Sequence, residues 1–328
     1  MKTKTYAPTP TNLRRLAATL QRGALVAIPT ETVYGLAAHA LDVRACESIF
    51  KAKGRPTQDP LIVHVLDLAH AELLAEFNDT ARKLVRQFWP GPLTLVLPKK
   101  PCVPGIVTAN RNTVAIRSPA HPLTRRLLRL AGVPLAAPSA NLFGYISPTS
   151  AAHVRDGLDG KIPHILDGGS CRVGVESTIL DLTNPAQPRI LRPGSITAAQ
   201  LEKSLGLKLH EGAGSRRKTT AKKGLIAPGL LAQHYSPRTP LEIKPNWSTL
   251  PPNVGGIFLR KPPGRITPGT YWLSQRGALT EMARQLYEVL RAADHGNHNQ
   301  LWIQALPADS GGLTAAINDR LRRAAAKR

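Results

Sequence analysis

The stretch KAKGRPTQDPLIVHV, residues 51–65, joins a cationic turn to an apolar strand that carries one imidazole, His64. Lys53 and Arg55 flank a glycine, and two prolines favour an extended turn after them. A solvated charge run seldom leads directly into a buried strand, so we expect the two cations to face a pocket. There arginine grips a phosphate or carboxylate with two hydrogen bonds, and lysine supplies a mobile charge. The alternative is a basic surface loop before a core strand.

Short apolar strands alternate with amphipathic helices on both sides of this stretch. Strands are predicted at 24–28, 89–97 (after an initial turn), 112–117, 133–137, 162–166 and 179–181, with a further strand closing near 190–194. Helices are predicted at 11–23, 42–51, 69–89, 122–130, 151–158 and 197–205. Alternation with short links is typical of an α/β domain, in which ligands bind at the carboxyl ends of strands.

The character of the sequence changes between residues 209 and 240. The run SRRKTTAKKG, residues 215–224, is charged and poor in apolar residues, which predicts a flexible linker. Beyond it, strands at 241–243, 256–259 and 301–305 and helices at 279–292 and 313–325 predict a small second α/β domain. We therefore divide the chain into a first domain (1–208), a linker (209–240) and a second domain (241–328).

The charge balance is strongly basic. Lysine and arginine number 44 against 21 acidic residues, a formal net charge of +23. This excess favours polyanionic partners, but a small phosphate substrate, a nucleic acid and plain solubility all remain open. Aromatic residues make up only 5% of the chain, too few for an obvious base-stacking platform.

The cysteines and the hydropathy of the sequence indicate in which cellular compartment the protein is expected. Cys46, Cys102 and Cys171 are widely separated and lack metal-site spacing, which favours structural thiols in a reduced, cytoplasmic setting. No apolar run approaches the ~18 residues of a membrane span. The first 30 residues contain no acid and are slightly transit-like, but the helix at 11–23 leads directly into a strand. We therefore expect no segment that is cleaved.

Small polar side chains follow two of the predicted strands. Residues 30–32 (TET) follow the first, and residues 138–141 (PSAN) follow the strand at 133–137. Such side chains are suited to orienting a ligand, although a simple cap or turn is the alternative in both places. The sequence contains no P-loop, GxGxxG, GxSxG or HExxH motif. Asp294, His295 and His298 match no metal-site spacing, so we predict a polar loop there and no protein metal site.

Seven motifs then occur in a fixed order. They are PTETVYGL (29–36), KGRP with DPLIVH (53–64), WPGPLT (89–94), TVAIR (113–117), APSAN (137–141), GVEST (174–178) and LRPG (191–194). Together they closely resemble the threonylcarbamoyl-AMP synthase family, also called YrdC-like. The segment APG…HY (227–235) and the additional domain resemble the longer, two-domain form. The resemblance is strong over residues 13–205, fair over 227–235 and weak beyond 240.

The resemblance implies both a fold and a reaction. The fold is a YrdC-like twisted, open, mixed α/β sheet with a basic concave face, plus a smaller Rossmann-like α/β domain. The reaction is that of a nucleotidyltransferase, L-threonylcarbamoyladenylate synthase, which condenses L-threonine, bicarbonate or CO2, and ATP and releases pyrophosphate. A tRNA-threonylcarbamoyl transferase complex then forms N6-threonylcarbamoyladenosine at position 37 of tRNAs that read ANN codons; direct tRNA contact by the chain is a further possibility. Mg2+ is expected to arrive with ATP, held by phosphates and water.

The resemblance also implies site residues, carried over motif by motif. Lys53 and Arg55 are the implied catalytic cations. The implied threonine-binding residues are Thr32, His64, Arg117, Ala137 and Ser177, and the implied ATP-binding residues are Arg55, Asp59, Thr113, Ser139, Asn141, Ser147, Arg192 and Tyr235. Asp59 departs from the asparagine common in the family, and a carboxylate there repels phosphates unless it faces Mg2+ or Lys53. Tyr235 lies on the linker and is expected to close over the site as a lid.

Two other functions are compatible with part of this pattern. A non-catalytic basic RNA-binding module fits the charge of +23, but it has no need of the pocket residues and fits poorly with so few aromatics. A carbamoyl-adenylate enzyme of hydrogenase maturation normally adds acylphosphatase and zinc-finger modules, and this sequence has neither.

Overall fold

The computed structural model describes residues 2–211, 224–247, 249–264, 266–307 and 312–326. Most of the charged run at 215–224 therefore lies outside the described residues. The strands of the first sheet are β1 (Lys4–Tyr6), β2 (Val26–Ile28), β3 (Gly35–His39), β4 (Ile62–His64), β5 (Leu93–Pro98), β6 (Thr113–Arg117), β7 (Leu135–Ala136), β8 (His164–Leu166), β9 (Thr178–Asp181), β10 (Arg189–Arg192) and β11 (His210–Glu211), the last of which falls at the start of the predicted linker. Those of the second are β12 (Leu241–Ile243), β13 (Val254–Arg260), β14 (Thr270–Ser274) and β15 (Gln300–Ile303).

The helices lie between these strands. They are α1 (Pro10–Gln21), α2 (Val43–Lys53), α3 (Leu68–Glu72), α4 (Asp79–Phe88), α5 (Pro122–Ala131), α6 (Ala151–Leu158), α7 (Ala198–Leu205), α8 (Leu279–Asp294) and α9 (Thr314–Ala324), with a 3-10 turn at Gly105–Thr108. The predicted alternation of helices and strands is thus present along both domains.

The first sheet has eleven strands in the order β1-β8-β2-β3-β7-β4-β6-β5-β9-β10-β11. Its pairing is mixed, because β4 runs parallel to β6 whereas β3 runs antiparallel to β2 and β7. The second sheet is parallel in the order β12-β15-β13-β14. The predicted α/β class, a large mixed sheet plus a smaller α/β domain, is confirmed.

Two details of the prediction are wrong. Residues 69–89 do not form one helix, because Asn78 caps a new helix, α4, by accepting a hydrogen bond from the Ala81 amide. The segment Gly35–His39 is strand β3, which is missing from the strands that we predicted. Glycine and alanine have low strand propensity, so β3 owes its conformation to pairing with β2 and β7 on either side.

The sheet brings polar side chains to one edge. Strands β4 and β6 are parallel, and their register places His64 directly beside Arg117 at their carboxyl ends. Helix α2 ends at Gly54, whose φ of 62° suits a glycine C-cap, and the chain then turns so that Arg55 enters the same region. These elements define the place of the candidate site.

The second domain shares a hydrophobic core with the first. One cluster joins Val33 and Val175 of the first domain with Met282 and Leu286 of α8, and it also contains the linker residue Tyr235. Apolar burial of this kind contributes about 25 cal/mol for each Å² removed from water. We therefore expect the two domains to be docked together and not merely tethered.

Candidate active site

A small buried cavity lies at the carboxyl ends of β2, β4 and β6, under the segment 228–235. Its lining residues are Thr30, Thr32, Val33, Gly35, Arg55, Ile62, His64, Arg117, Ala137, Pro138, Ser139, Glu176, Ser177, Arg192, Pro228, Gly229, His234 and Tyr235. The open volume is about 50 Å³, room for one or two water molecules at roughly 30 Å³ each. A ligand much larger than a few water molecules therefore fits only if the covering segment moves.

The structure brings most of the sequence-predicted residues to this cavity. All five threonine-binding candidates line it, namely Thr32, His64, Arg117, Ala137 and Ser177. Four ATP-binding candidates line it as well, namely Arg55, Ser139, Arg192 and Tyr235. Residues that are distant in sequence thus face one shared space.

Arg117 is held by Glu31, which the site prediction did not include. The guanidinium donates to Glu31 Oε1 at 2.5 Å and to Thr32 Oγ1 at 3.0 Å, and its Nε donates to the Gly91 carbonyl at 3.3 Å. Burial alone would raise the pKa of Glu31, but the charge and hydrogen bond of Arg117, together with backbone N–H donors such as that of Ala120, lower it. Arginine has five N–H donors, and the hydrogen bonds of Arg117 to Glu31, Thr32 and Gly91 use three of them. The other two remain to donate to the carboxylate of a ligand.

His64 is a buried neutral base next to this arginine. Its Nδ1 lies 3.2 Å from the Ile62 carbonyl oxygen. Burial, with the adjacent positive charge of Arg117, lowers the pKa of His64 to about 3. A neutral imidazole offers one donor and one acceptor nitrogen, which suits contact with a hydroxyl or amine.

Two buried guanidiniums face the other side of the cavity. Arg55 donates from Nε to the Asp59 carbonyl at 3.0 Å and from Nη2 to the Pro60 carbonyl at 2.7 Å. Arg192 donates from Nη2 to both the carbonyl oxygen and Oγ of Ser177, each at 3.1 Å. Burial lowers the pKa of both arginines, which nevertheless remain cationic. Two fixed cations in a confined space favour an anionic ligand.

Asp59 does not line the cavity. It is buried, and its Oδ2 forms an ion pair with Arg55 Nη2 at 3.0 Å. Burial raises the pKa of Asp59, against the attraction of Arg55. The sequence left open whether this carboxylate faces Mg2+ or Lys53; it faces Arg55, whose positive charge it partly offsets. A direct contact between Asp59 and ATP has no support from this placement.

Lys53 also lies behind the cavity and not in its wall. Its ammonium donates to the backbone carbonyls of Ser139, at 2.6 Å, and Asn141. Burial, followed by repulsion from Arg55, lowers the pKa of Lys53 well below its usual range. The Asn141 side chain donates in turn to the carbonyls of Leu142 and Tyr145. Lys53 and Asn141 therefore shape the turn that presents Ser139.

Two more predicted ATP contacts lie elsewhere. Ser147 is buried and donates to Glu176 Oε1 at 2.6 Å. Thr113 is at the amino end of β6 and lines a separate cleft of about 590 Å³ with Gln58 and Arg111. The structure does not bring Thr113 to the central cavity.

Glu176 is a feature of the site that sequence reasoning missed. It is the one carboxylate among the described residues that line the cavity. Tyr287 of α8 donates to its Oε2 at 2.8 Å, and Arg320 of α9 donates to the same oxygen at 2.8 Å. Burial would raise the pKa of Glu176, but Arg320 and then Arg192 lower it to about 2. The second domain thus supplies the countercharge of a cavity residue.

Only a weak sequence signal pointed to Arg320. On α9 the buried apolar residues Ile317, Leu321 and Ala324 follow helical spacing, and Arg320 falls on the same buried side of the helix. An arginine on an apolar face requires a buried acceptor. That reasoning predicts a partner for Arg320, although not which one.

The segment over the cavity is closed and anchored. The Tyr235 ring lies 4.2 Å from the His234 ring and 5.3 Å beneath the Arg320 guanidinium, measured to ring centroids. Among the described residues, the Tyr235 hydroxyl has no hydrogen-bond partner. Ser236 next to it donates from its amide to the Gly144 carbonyl at 2.8 Å. We call residues 225–235 the lid segment.

Acid is expected to destabilise the protein through its buried histidines. Burial is the main reason that the pKa values of His64 and His234 fall to about 3, against an ordinary 6.5. Below pH 6.5 these two histidines bind protons in the unfolded chain but not in the folded chain. The free energy of unfolding therefore falls as the pH falls. From pH 7 to 5 the loss is roughly 2 kcal/mol for each histidine. Urea unfolding at the two pH values checks this, and a His64→Gln/His234→Gln variant that keeps the whole pH dependence would contradict it.

The chain matches two family models. The Sua5, YciO and YrdC model, described as "Telomere recombination", matches residues 18–194, and the model described as "Threonylcarbamoyl-AMP synthase, C-terminal domain" matches residues 196–326. Threonylcarbamoyl-AMP synthase of Pyrococcus abyssi is 39% identical over 96% of this chain and 94% of its own length. The Bacillus subtilis protein of the same name is 39% identical, over 96% and 93% respectively.

Solved structures give the same result. Pyrococcus abyssi Sua5 complexed with L-threonine is similar with a TM-score of 0.87 and 35% identity, covering 98% of each chain. The H234A/Y235A variant of that protein gives a TM-score of 0.86, covering 98% of this chain and 96% of the other. The likeness extends over both domains and the segment between them.

Proposed function

The chain belongs to the threonylcarbamoyl-AMP synthase family, in its two-domain form, and from that premise we propose how its central cavity performs the reaction. The protein makes L-threonylcarbamoyladenylate from L-threonine, bicarbonate or CO2, and ATP, for N6-threonylcarbamoyladenosine formation at position 37 of tRNAs reading ANN codons. A non-catalytic RNA-binding module is not favoured. The observation that supports the mechanism is one cavity lined by three arginines, Arg117 on one side and Arg55 and Arg192 on the other.

The reaction is a nucleotidyl transfer. The threonine amine adds to CO2 and loses a proton, giving a carbamate. A carbamate oxygen then attacks the α-phosphorus of ATP, the bond from that phosphorus to the bridging oxygen breaks, and pyrophosphate leaves. Positioning and positive charge supply most of the catalysis in such a step.

Threonine occupies the side of the cavity formed by β4 and β6. Arg117, oriented by Glu31, uses its two remaining N–H groups for the carboxylate. Thr32 and neutral His64 contact the hydroxyl and amine, and Ser177 with the backbone at Ala137 completes the wall. This arrangement leaves the amine directed toward the phosphate-binding side.

ATP occupies the side with Arg55 and Arg192, and Ser139 and Tyr235 contact the nucleotide. Arg55 is the catalytic residue in this proposal, because its buried guanidinium lines the cavity on the side proposed to bind phosphates. Lys53 acts as a positioning residue through the Ser139 carbonyl. Mg2+ would enter with ATP as a counterion of its phosphates, where it would neutralise part of their negative charge.

The product passes to a tRNA-threonylcarbamoyl transferase complex in the cytoplasm, a setting that fits three free cysteines. Within the described residues, no helix combines the length and the apolar character that crossing a bilayer needs. Direct contact with tRNA is part of the proposal, since the chain carries a formal charge of +23.

Pyrophosphate release tests the function. The purified protein is given ATP and Mg2+ with threonine and bicarbonate, and each of the last two is omitted in turn. We expect release only when both are present. Pyrophosphate release that does not depend on threonine would overturn the proposed reaction. So would the absence of release together with tight, salt-sensitive binding of tRNA.

Gly229 is expected to control closure of the lid segment. Its φ is 75°, and a Cβ there would lie 2.7 Å from the Tyr235 hydroxyl and 3.1 Å from Arg192 Nη1. Gly229→Ala should therefore displace Tyr235, lower the turnover rate about 10-fold and lower the adenylate recovered per pyrophosphate, because water reaches the product.

Gly206→Ala is the matched control for this change. Gly206 has a φ of 73° but no heavy atom within 4 Å of its Cβ position. Both variants carry the same left-handed strain of about 1–2 kcal/mol. Equal loss of yield in the two would show that backbone strain, and not the lid contact, is responsible.

A further inference from the structure

The small sheet of the second domain has one covered face and one aromatic face. Helix α8 packs against β13 and β14, where Ile257 and Leu273 join the shared core. Phe258 is paired with Trp272 across β13 and β14, and Gly256, two residues before Phe258, is paired with Trp302 on β15. Side chains alternate along strands, so Phe258, Trp272 and Trp302 all lie on the face opposite α8.

A fourth ring completes this aromatic face. The Trp247 ring lies 4.9 Å from the Phe258 ring and 6.0 Å from the Trp302 ring, between centroids. All four rings are partly exposed. Their ring faces are not exposed throughout, however: within the described part of the chain, the indole N–H groups of Trp247 and Trp302 are buried and have no hydrogen-bond partner. Three of the four tryptophans of the chain are thus gathered on one sheet face.

A lysine lies over the face of each of two of these rings. Lys261 Nζ lies 5.3 Å from the Trp272 ring centroid, and Lys244 Nζ lies 5.3 Å from that of Trp302. Arg260 is exposed and, two residues after Phe258, shares its face. Glu242 forms an ion pair with Lys244 at 2.7 Å, so the uncompensated positive charge is concentrated near Trp272.

We propose that this aromatic face binds single-stranded RNA by stacking unpaired bases on its rings. A four-stranded sheet with aromatic side chains on neighbouring strands is how one common RNA-binding module holds two or three bases, and lysine and arginine beside the rings meet the phosphates. The partner's negative charge complements Lys261, Arg260 and a chain of net charge +23. A second copy of the chain would bring like charges together.

A cleft next to the rings adds polar groups. It has a volume of about 780 Å³ and is lined by Trp247, Phe258, Thr270 and Asn297, among others. Amide and hydroxyl side chains there can pair with base edges. In a double helix the base faces are stacked on one another and the Watson–Crick edges are paired, so neither is available to such a surface and the partner is single-stranded. This inference rests on the proposed function in one respect: the natural source of such RNA is taken to be tRNA, whose position 37 lies in a loop.

Fluorescence anisotropy tests the inference with the full-length protein. The probes are a labelled 12-nucleotide single-stranded RNA and a 12-base-pair RNA duplex, each titrated at several salt concentrations. Trp272→Ala should weaken single-strand binding about 10-fold with an unchanged salt slope, because one stacked base is lost. Lys261→Gln should reduce the slope by about 0.7, because one phosphate contact is lost.

Matched variants guard against trivial outcomes. Trp272→Phe keeps an aromatic ring and should bind the single-stranded RNA nearly as tightly as the parent. Lys203→Gln removes an exposed cation from α7 and should leave the preference for single-stranded over duplex RNA unchanged. Pyrophosphate release should be unchanged in every variant, which separates this inference from the proposed reaction. Equal single-strand affinity of Trp272→Ala and the parent, or equal losses for duplex and single strand, would overturn it.

Discussion

Replacing Arg320 by glutamine is expected to lower the synthase rate about 100-fold, although Arg320 belongs to the second domain. Glu176 would then be a buried carboxylate without its nearest countercharge. It would turn to Arg192, which already acts on it electrostatically, and neutralise a phosphate-binding cation. Loss of one positioned charge costs about 10²–10³ in rate. We therefore expect a raised KM for ATP, an unchanged KM for threonine and a lower kcat.

The double variant Arg320→Gln/Glu176→Gln distinguishes charge from packing. With both charges gone, Arg192 is free again, and the rate should return to within about 10-fold of the parent. Arg322→Gln removes an exposed arginine from the same helix and should have no effect. A double variant as inactive as the single one, at equal stability in urea, would show that Arg320 does not act through the charge of Glu176.

Replacing Arg55 by glutamine should reduce turnover about 1000-fold. The change leaves Asp59 buried and unpaired, which can cost 3–5 kcal/mol of stability by itself. The variant is therefore made in an Asp59→Asn background, where the buried pair is neutral. Asp59→Asn alone should lower the KM for ATP a few-fold, because the positive charge of Arg55 is no longer offset.

Pyrophosphate release and calorimetric ATP titration measure these effects. A double variant with near-normal rate and ATP affinity would remove Arg55 from the mechanism. A higher KM for ATP in Asp59→Asn would instead mean that Asp59 acts mainly by orienting Arg55.

The residues that the sequence predicted to lie together and that do share the cavity are placed there by local geometry. His64 and Arg117 end parallel neighbouring strands, and Thr32 follows the end of β2, so a strand-end argument places all three at one edge. The same argument explains why Thr113 is not at this edge. Thr113 lies at the amino end of the five-residue strand β6, whereas Arg117 lies at its carboxyl end. The position of a residue along its strand decides which cleft it faces.

Other features depend on contacts that no local pattern encodes. Lys53 has the right charge and spacing for a phosphate ligand, yet its ammonium is held by backbone carbonyls 86 and 88 residues away. The overall aromatic content of 5% did not predict the aromatic face, because a composition does not show that three tryptophans lie within residues 247–302. Strand register was needed to place them together.

The ion pair between Arg320 and Glu176 also sets an order of events while the chain is being synthesised. Arg320 is added 144 residues after Glu176, which corresponds to roughly 7 to 29 s at the usual 5–20 residues per second. During that interval the first domain can assemble its sheet on the ribosome while Glu176 still lacks its countercharge. A nascent chain folded only that far would hold threonine-binding residues in place without being a competent synthase, so activity would begin only when translation has passed α9.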